Sequence, residues 1–350
     1  MASPKNEPGP SFIRRVHNPP NPWSSLEVEW DELPPQVEVE VFEDQSRAVL
    51  SRNDSPDVPF RWSLNPYRGC YHACAYCYAR PGHQYLGLGA GTDFDRKLMV
   101  KPRAAGLLRE AFEKKSWRGE TIAFSGVTDC YQPLEASYGL TRACLEVCLE
   151  YHQPVSLITK SSLVERDIDL LRELNQVASC QVVLSVPFFD AETARAIEPG
   201  APSPARRLKT IRTLAEAGIP VGVNVAPIIP GLSDRDIPAI LEGAREAGAT
   251  FAGHILVRLP SEVRQVFEAR LQEKLPLRAR RVMTQLSECR SGPSAETTFG
   301  QRMTGSGARW DAIESLYRAT FTRLGFKPAH EGIRRDTFQR PSERQQLRLL

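Results

Sequence analysis

The 350-residue chain predicts an α/β fold, a partial (β/α)6 TIM-like barrel followed by a C-terminal helical extension. Three observations lead there. Short apolar, β-rich runs recur through the middle of the chain, amphipathic helical patterns separate them, and this alternation stops near residue 260. Strands buried on both faces and joined by helices are the signature of parallel βαβ units. A doubly wound open sheet competes, but no G-x-G-x-x-G follows the first strand.

Taken in order, a first strand is expected at about 61–65. The others are expected at "TIAFSGV" (121–127), "PVSLITK" (154–160), "CQVVLSV" (180–186), "PVGVNVAPII" (220–229) and "FAGHILVRL" (251–259). The intervening helices are read at "SYGLTRACLEVCLEY", "SLVERDIDLLRELNQ", "SPARRLKTIRTLAEAG" and "DIPAILEGAREAG". Several begin with Ser or Asp caps, and two end in Ala-Gly before the next strand. Three further helices follow, at "EVRQVFEARLQEKL", "LRARRVMTQLSECR" and "ARWDAIESLYRATFTRLGF", the last after a Gly-rich link, "FGQRMTGSG". The division expected is a Pro-rich acidic, partly disordered leader at 1–59, a barrel at 60–259, and a basic helical extension with a frayed tail at 260–350. Folded structure should begin near "FRWSLNPY", with "VEVEVFED" adding an edge strand.

Charge is uneven. Residues 1–59 hold 5 Lys/Arg against 11 Asp/Glu and ten prolines, whereas residues 260–350 hold 17 against 10. The second imbalance admits a phosphate-bearing partner, with Arg278, Arg280 and Arg281 as the contacts, or simply a solvated helical surface. No run of eighteen apolar residues suggests a membrane span, and no secretory signal is evident, so a cytoplasmic location is expected. Eight cysteines are too few for a disulfide scaffold, and three of them are bunched.

That bunch, "GCYHACAYCYARP" (69–81), places Cys70, Cys74 and Cys77 in a C-x3-C-x2-C spacing on the loop after the first strand. Barrels of this kind place their chemistry at the carboxyl ends of the strands. A closed zinc site needs four ligands, and His72 or His83 would serve as the fourth in a structural or interaction module without turnover. A [4Fe–4S] cluster held by three thiolates keeps one iron open, as a catalytic cluster requires.

The spacing, with Tyr76 just before the last cysteine, resembles the radical S-adenosylmethionine (radical SAM) superfamily. "SRNDSPDVPFRWSLNPYRGCYHACAYCYARP", "TDCYQPLE" and "EPGAPSPARRL" are similar to an uncharacterised bacterial subgroup related to spore photoproduct lyase, over roughly residues 46–325. The resemblance implies that Cys70, Cys74 and Cys77 hold a [4Fe–4S] cluster whose open iron binds S-adenosylmethionine. It also implies a reductive cleavage giving a 5′-deoxyadenosyl radical, with electrons from an external flavodoxin- or ferredoxin-type donor. Where the superfamily commonly carries Gly-Gly-Glu, this chain has "SGVTD", which places Ser125, Gly126, Thr128 and Asp129 there. Asp129 suits a cationic amino group, although it would equally cap the following helix. Lys160 is expected near the cofactor carboxylate, Ser185 near ribose or carboxylate, Asn224 on the cofactor side of its strand, and Tyr76 near the adenine. Cys130 and Cys289 are speculative hydrogen donors, whereas Cys144, Cys148 and Cys180 read as small core residues. "GLGAG" (87–91) reads as a flexible turn. The resemblance to a DNA-repairing family makes nucleic acid one candidate substrate.

Overall fold

The computed structural model describes residues 13–16, 38–290, 292, 297–328 and 336–341. The main sheet carries six parallel strands: β1 (Trp62–Leu64), β2 (Ile122–Phe124), β3 (Val155–Thr159), β4 (Cys180–Ser185), β5 (Val221–Ile228) and β6 (Phe251–Leu256). Each pairs with the next in chain order. Strand Leu50–Arg52 borders β1 antiparallel, and Lys327–Pro328 borders β6 in parallel. Among the described residues these two border strands do not pair with each other, so the barrel is open. Every position of β4 is buried, as a central strand covered on both faces requires.

The amphipathic patterns fold as helices Leu140–Glu150, Ile168–Val177, Pro204–Glu216 and Ile237–Glu246. Ser203 caps the third of these by accepting from the Arg206 backbone N–H at 3.3 Å, with Pro204 in the first turn. Asp236, by contrast, does not cap the fourth, since its carboxylate accepts from the Phe189 N–H on the loop after β4. Gly218 and Gly248 end these two helices in the left-handed region, at φ 77° and 99°, which explains both Ala-Gly endings. The structure adds helices that the sequence patterns did not single out, among them Thr92–Arg96, Ala104–Glu113 and Ala191–Ile197.

A second, four-stranded sheet also lies outside the sequence expectation. Its order is Ile13–Val16, Glu40–Asp44, Lys97–Val100, Tyr67–Arg68. The acidic stretch expected at an edge is therefore flanked on both sides. The basic extension forms helices Glu262–Lys274, Pro276–Glu288 and Ala308–Arg323. Residues 336–341 return to the barrel, where Phe338 stacks on Tyr151 and meets Phe112 edge-on. The rest of the expected leader (1–12 and 17–37) and of the tail (342–350) lies outside the described residues. Among the described residues no helix is long and apolar enough to cross a membrane.

Candidate active site

The cysteines ride on a loop that opens and closes on one ladder. Tyr67–Arg68 leads into it and Lys97–Val100 leads out, paired antiparallel as Tyr67 with Val100 and Arg68 with Met99. Gly69 makes the turn into the motif at φ 74°. A Cβ there would lie 2.7 Å from Leu98 and 2.8 Å from the Phe94 carbonyl. Arg80, 1% exposed, ties the loop from inside by donating to the carbonyls of Cys74, Ala90 and Gly91 and to the Asp95 carboxylate. The "GLGAG" turn thus supplies carbonyl acceptors to an arginine. Outside, the loop leans on the segment after helix Ala191–Ile197. Gly200 N–H donates to the His72 carbonyl at 3.1 Å, and a Cβ on Gly200 would stand 2.1 Å from the Tyr71 carbonyl oxygen.

Cys70, Cys74 and Cys77 all line one cavity of about 520 Å³ at the carboxyl ends of the strands. Burial pushes their thiols up, Cys74 to about 12, so binding a metal must displace protons. The two imidazoles of the zinc alternative are engaged elsewhere. His72 Nδ1 faces Asp129 at 3.3 Å, and His83 Nε2 lies 2.9 Å from the Lys97 carbonyl oxygen. Among the described residues no three His, Cys, Asp or Glu gather tightly enough to hold one ion.

Tyr76, Ser125, Asp129, Lys160, Ser185 and Asn224 line the same cavity. Strand register explains the last two. Asn224 lies opposite Ser185 on β4 and Gly253 on β6, and a Cβ on Gly253 would sit 2.7 Å from the Asn224 side-chain oxygen. The missing side chain makes room for that amide. Ser125 adopts φ 74°, and its hydroxyl accepts from the Cys130 N–H.

Asp129 is held by several groups of the protein. Its carboxylate accepts from Tyr131 N–H, Thr159 hydroxyl and Lys160 N–H, at 2.9, 2.6 and 2.8 Å, and His72 faces the same Oδ2. Burial alone would raise its pKa, but the facing imidazole and these donors outweigh it and lower the value to about 2. With its acceptor positions occupied by protein groups, Asp129 ties the cysteine loop to β3.

Glu198 is the centre that sequence reading missed. Fully buried, it accepts from Arg207 at 2.5 Å and from the Tyr76 hydroxyl, and Lys160 Nζ stands 3.9 Å away. Arg207 also donates to the Ser185 and Pro202 carbonyls. Burial opposes the ionised carboxylate, but Arg207 and Lys160 outweigh it and hold Glu198 below its ordinary range. Both residues lie in "EPGAPSPARRL", where the stretch supported a resemblance without revealing what they touch.

The other cysteines sit apart. Cys130 is fully buried outside the cavity lining, and Cys289 is buried after helix Pro276–Glu288. Cys144, Cys148 and Cys180 belong to the main core. Arg278, Arg280 and Arg281 are exposed and do not line the cavity, and Arg278 donates to Thr193. The cations that do reach the cavity are Lys160, Arg52, Arg258 and Arg302. Arg258 was legible as a polar residue just past β6, whereas Arg302, inside the Gly-rich link, carried no such signal.

The sequence profile of the radical SAM superfamily matches residues 64–244. An uncharacterised protein of Mycobacterium bovis is 40% identical over 195 residues, covering 55% of this chain and 57% of the relative, so the match spans little more than half of that relative's length. A radical SAM Nalpha-GlyT isomerase of Pseudomonas phage M6 is 28% identical over 173 residues, 49% of this chain and 34% of the relative. Spore photoproduct lyase complexed with dinucleoside spore photoproduct superposes with a TM-score of 0.57 at 16% identity, covering 78% of this chain and 77% of that one. This last likeness is one of fold.

Proposed function

The chain belongs to the radical SAM superfamily, and from that membership we propose that it is an enzyme whose Cys70, Cys74 and Cys77 hold a [4Fe–4S] cluster. When bound, the cluster with S-adenosylmethionine supplies a 5′-deoxyadenosyl radical that takes hydrogen from a substrate. An external flavodoxin- or ferredoxin-type donor provides the electron. The observation that supports this most is the meeting of three thiols and the polar strand ends in one cavity.

The chain's own groups divide the work. Lys160, held by Glu198 and lying 5.8 Å over the Tyr76 ring, orients the cofactor carboxylate. Ser185 and Asn224, side by side, meet ribose hydroxyls, and Tyr76 packs toward the adenine. Ser125 meets the amino group, with Asp129 as a positioning residue behind it. Anaerobic reconstitution tests the reading. Brown, iron-loaded protein that releases 5′-deoxyadenosine and methionine after reduction is expected. Colourless protein that takes up stoichiometric zinc and leaves S-adenosylmethionine intact would overturn it in favour of a zinc-binding module.

Nucleic acid is the substrate class placed second. Its support is the likeness in fold to a lyase solved with a dinucleoside, together with the exposed arginines of helix Pro276–Glu288. Oligonucleotide binding at about 50 and 200 mM salt tests it, because phosphate-driven affinity falls steeply over that range. No binding at the lower salt removes this class.

A further inference from the structure

Arg258 follows β6 and lines the cavity on the wall nearest Tyr78. Its guanidinium carbon stands 4.7 Å from the Tyr78 ring centroid. The ring is itself anchored, because the Tyr78 hydroxyl donates to the Gly126 carbonyl at 2.7 Å. The neighbouring cation, Arg302, is occupied by Asp57 at 2.5 Å and by the Ser55 hydroxyl. Arg258 has no such partner, since among the described residues no ion pair or hydrogen bond holds its guanidinium. The charge of Asp57 reaches Arg258, but that carboxylate is engaged by Arg302, and a half-buried cation that no carboxylate pairs directly is costly. Burial first, and then the charge of Arg302, push Arg258 below the ordinary arginine range, a penalty that an incoming anion would relieve.

We propose that Arg258, braced on Tyr78, is a subsite for an oxyanion of the substrate, a phosphate or a carboxylate. Stacking leaves the edge of the guanidinium free, and that edge matches both groups with two parallel N–H donors. The subsite lies beside Cys77, which precedes the bracing tyrosine, so an anion held there sets the rest of the molecule over the cysteine loop. Lys160, proposed for the cofactor carboxylate, stands at the end of β3 and is paired with Glu198. Assigning the oxyanion to the substrate rests on the radical SAM reading, whereas binding of the anion does not.

The test titrates reconstituted enzyme, loaded with S-adenosylmethionine, with phenyl phosphate, benzoate and, as neutral control, benzyl alcohol. One of the two anions should bind saturably and the alcohol should not. Preference for phenyl phosphate identifies a phosphate ester, and preference for benzoate a carboxylic acid. Arg258→Met should weaken the preferred anion at least about tenfold, the loss expected for a charge-assisted fork. Arg258→Lys, which keeps charge but not the fork, should lose less, and it carries the test if the Met variant does not fold. Arg281→Met, on the exposed helix, should bind as wild type does. The proposal falls if neither anion binds, if both Arg258 variants bind as wild type, or if Arg258→Met weakens S-adenosylmethionine as much as the anion. Iron content and 5′-deoxyadenosine release, scored on the same wild-type preparation, separate its failure from failure of the radical reading.

Discussion

One wall of the cavity is made by the ends of β3 and β4, with the loop after helix Ala191–Ile197 packed behind it. There Glu198 and Arg207 are both about 1% exposed, and the carboxylate also serves Tyr76 and Lys160. The other wall is made by β6, the stretch around 51–60 and the Gly-rich link, and its ion pair, Arg302 with Asp57, is less completely shielded, with the Arg302 side chain 17% exposed and the Asp57 side chain 4%. Buried charges must be matched completely, and this fixes geometry. A pair near water holds its segments more loosely and tolerates rearrangement. This contrast is what the proposed division between a cofactor side and a substrate side rests on. The outer pair also spans the open barrel, because Asp57 lies near the β1 border while Gly300, which donates to it, follows the helical extension.

The largest effect should come from the cysteine loop between the two walls. Replacing Cys70, Cys74 or Cys77 with Ala should abolish cluster iron, since two thiolates do not retain four irons. Alanine at Cys144, Cys148 or Cys180 should leave iron near wild type. Equal iron loss in the two sets, measured by iron and sulfide assay, would show that the ligands are misassigned.

Glu198→Gln comes next. It leaves Arg207 buried without its counter-charge and should cost about 3–5 kcal/mol in denaturant unfolding. The double variant with Arg207→Met should recover part of that loss, and strict additivity would mean that the two charges do not act as a unit.

Gly200→Ala should cost about 1–3 kcal/mol, the usual range for overpacking, because its methyl group meets the Tyr71 carbonyl. Since this loop braces the cysteines, iron retention should fall with stability. Normal retention would show that the cysteine loop stands without its brace.

Smallest should be Asp57→Asn on the outer wall, about 1 kcal/mol, because Arg302 stays in reach of water when its counter-charge is lost. If it destabilises the protein as much as Glu198→Gln, the contrast between the walls is lost.

Local chemistry made much of this protein readable. The β-rich runs from residue 121 to 259 contain the observed strands β2 to β6, because strands covered on both faces read as nearly continuous apolar runs. The cysteine spacing is equally local. The rule that parallel strands present chemistry at their carboxyl ends is enough to pick out Lys160 and Ser185 from the order of residues alone. Helix Ala104–Glu113 was missed, as was the small sheet that clamps the cysteine loop, whose strands meet across long stretches of chain.

What only the tertiary structure decided concerns partners distant in sequence. Asn224 faces the cavity because Gly253 lies opposite it, a matter of register between two strands. Asp129 became a tie between the cysteine loop and β3 once Thr159 and His72 came within reach. Glu198 reads as an ordinary surface acid until folding buries it with Arg207, Tyr76 and Lys160, and Arg258 is distinguished by having no such partner. The sequence alone determined the strands of the main sheet, the helices between them from residue 140 on and the cysteine spacing, because periodicity and spacing are properties of neighbouring residues. Which charges are buried, matched or left open depends on long-range packing, so the fold alone decided which wall has its charges fully paired and which leaves a cation open.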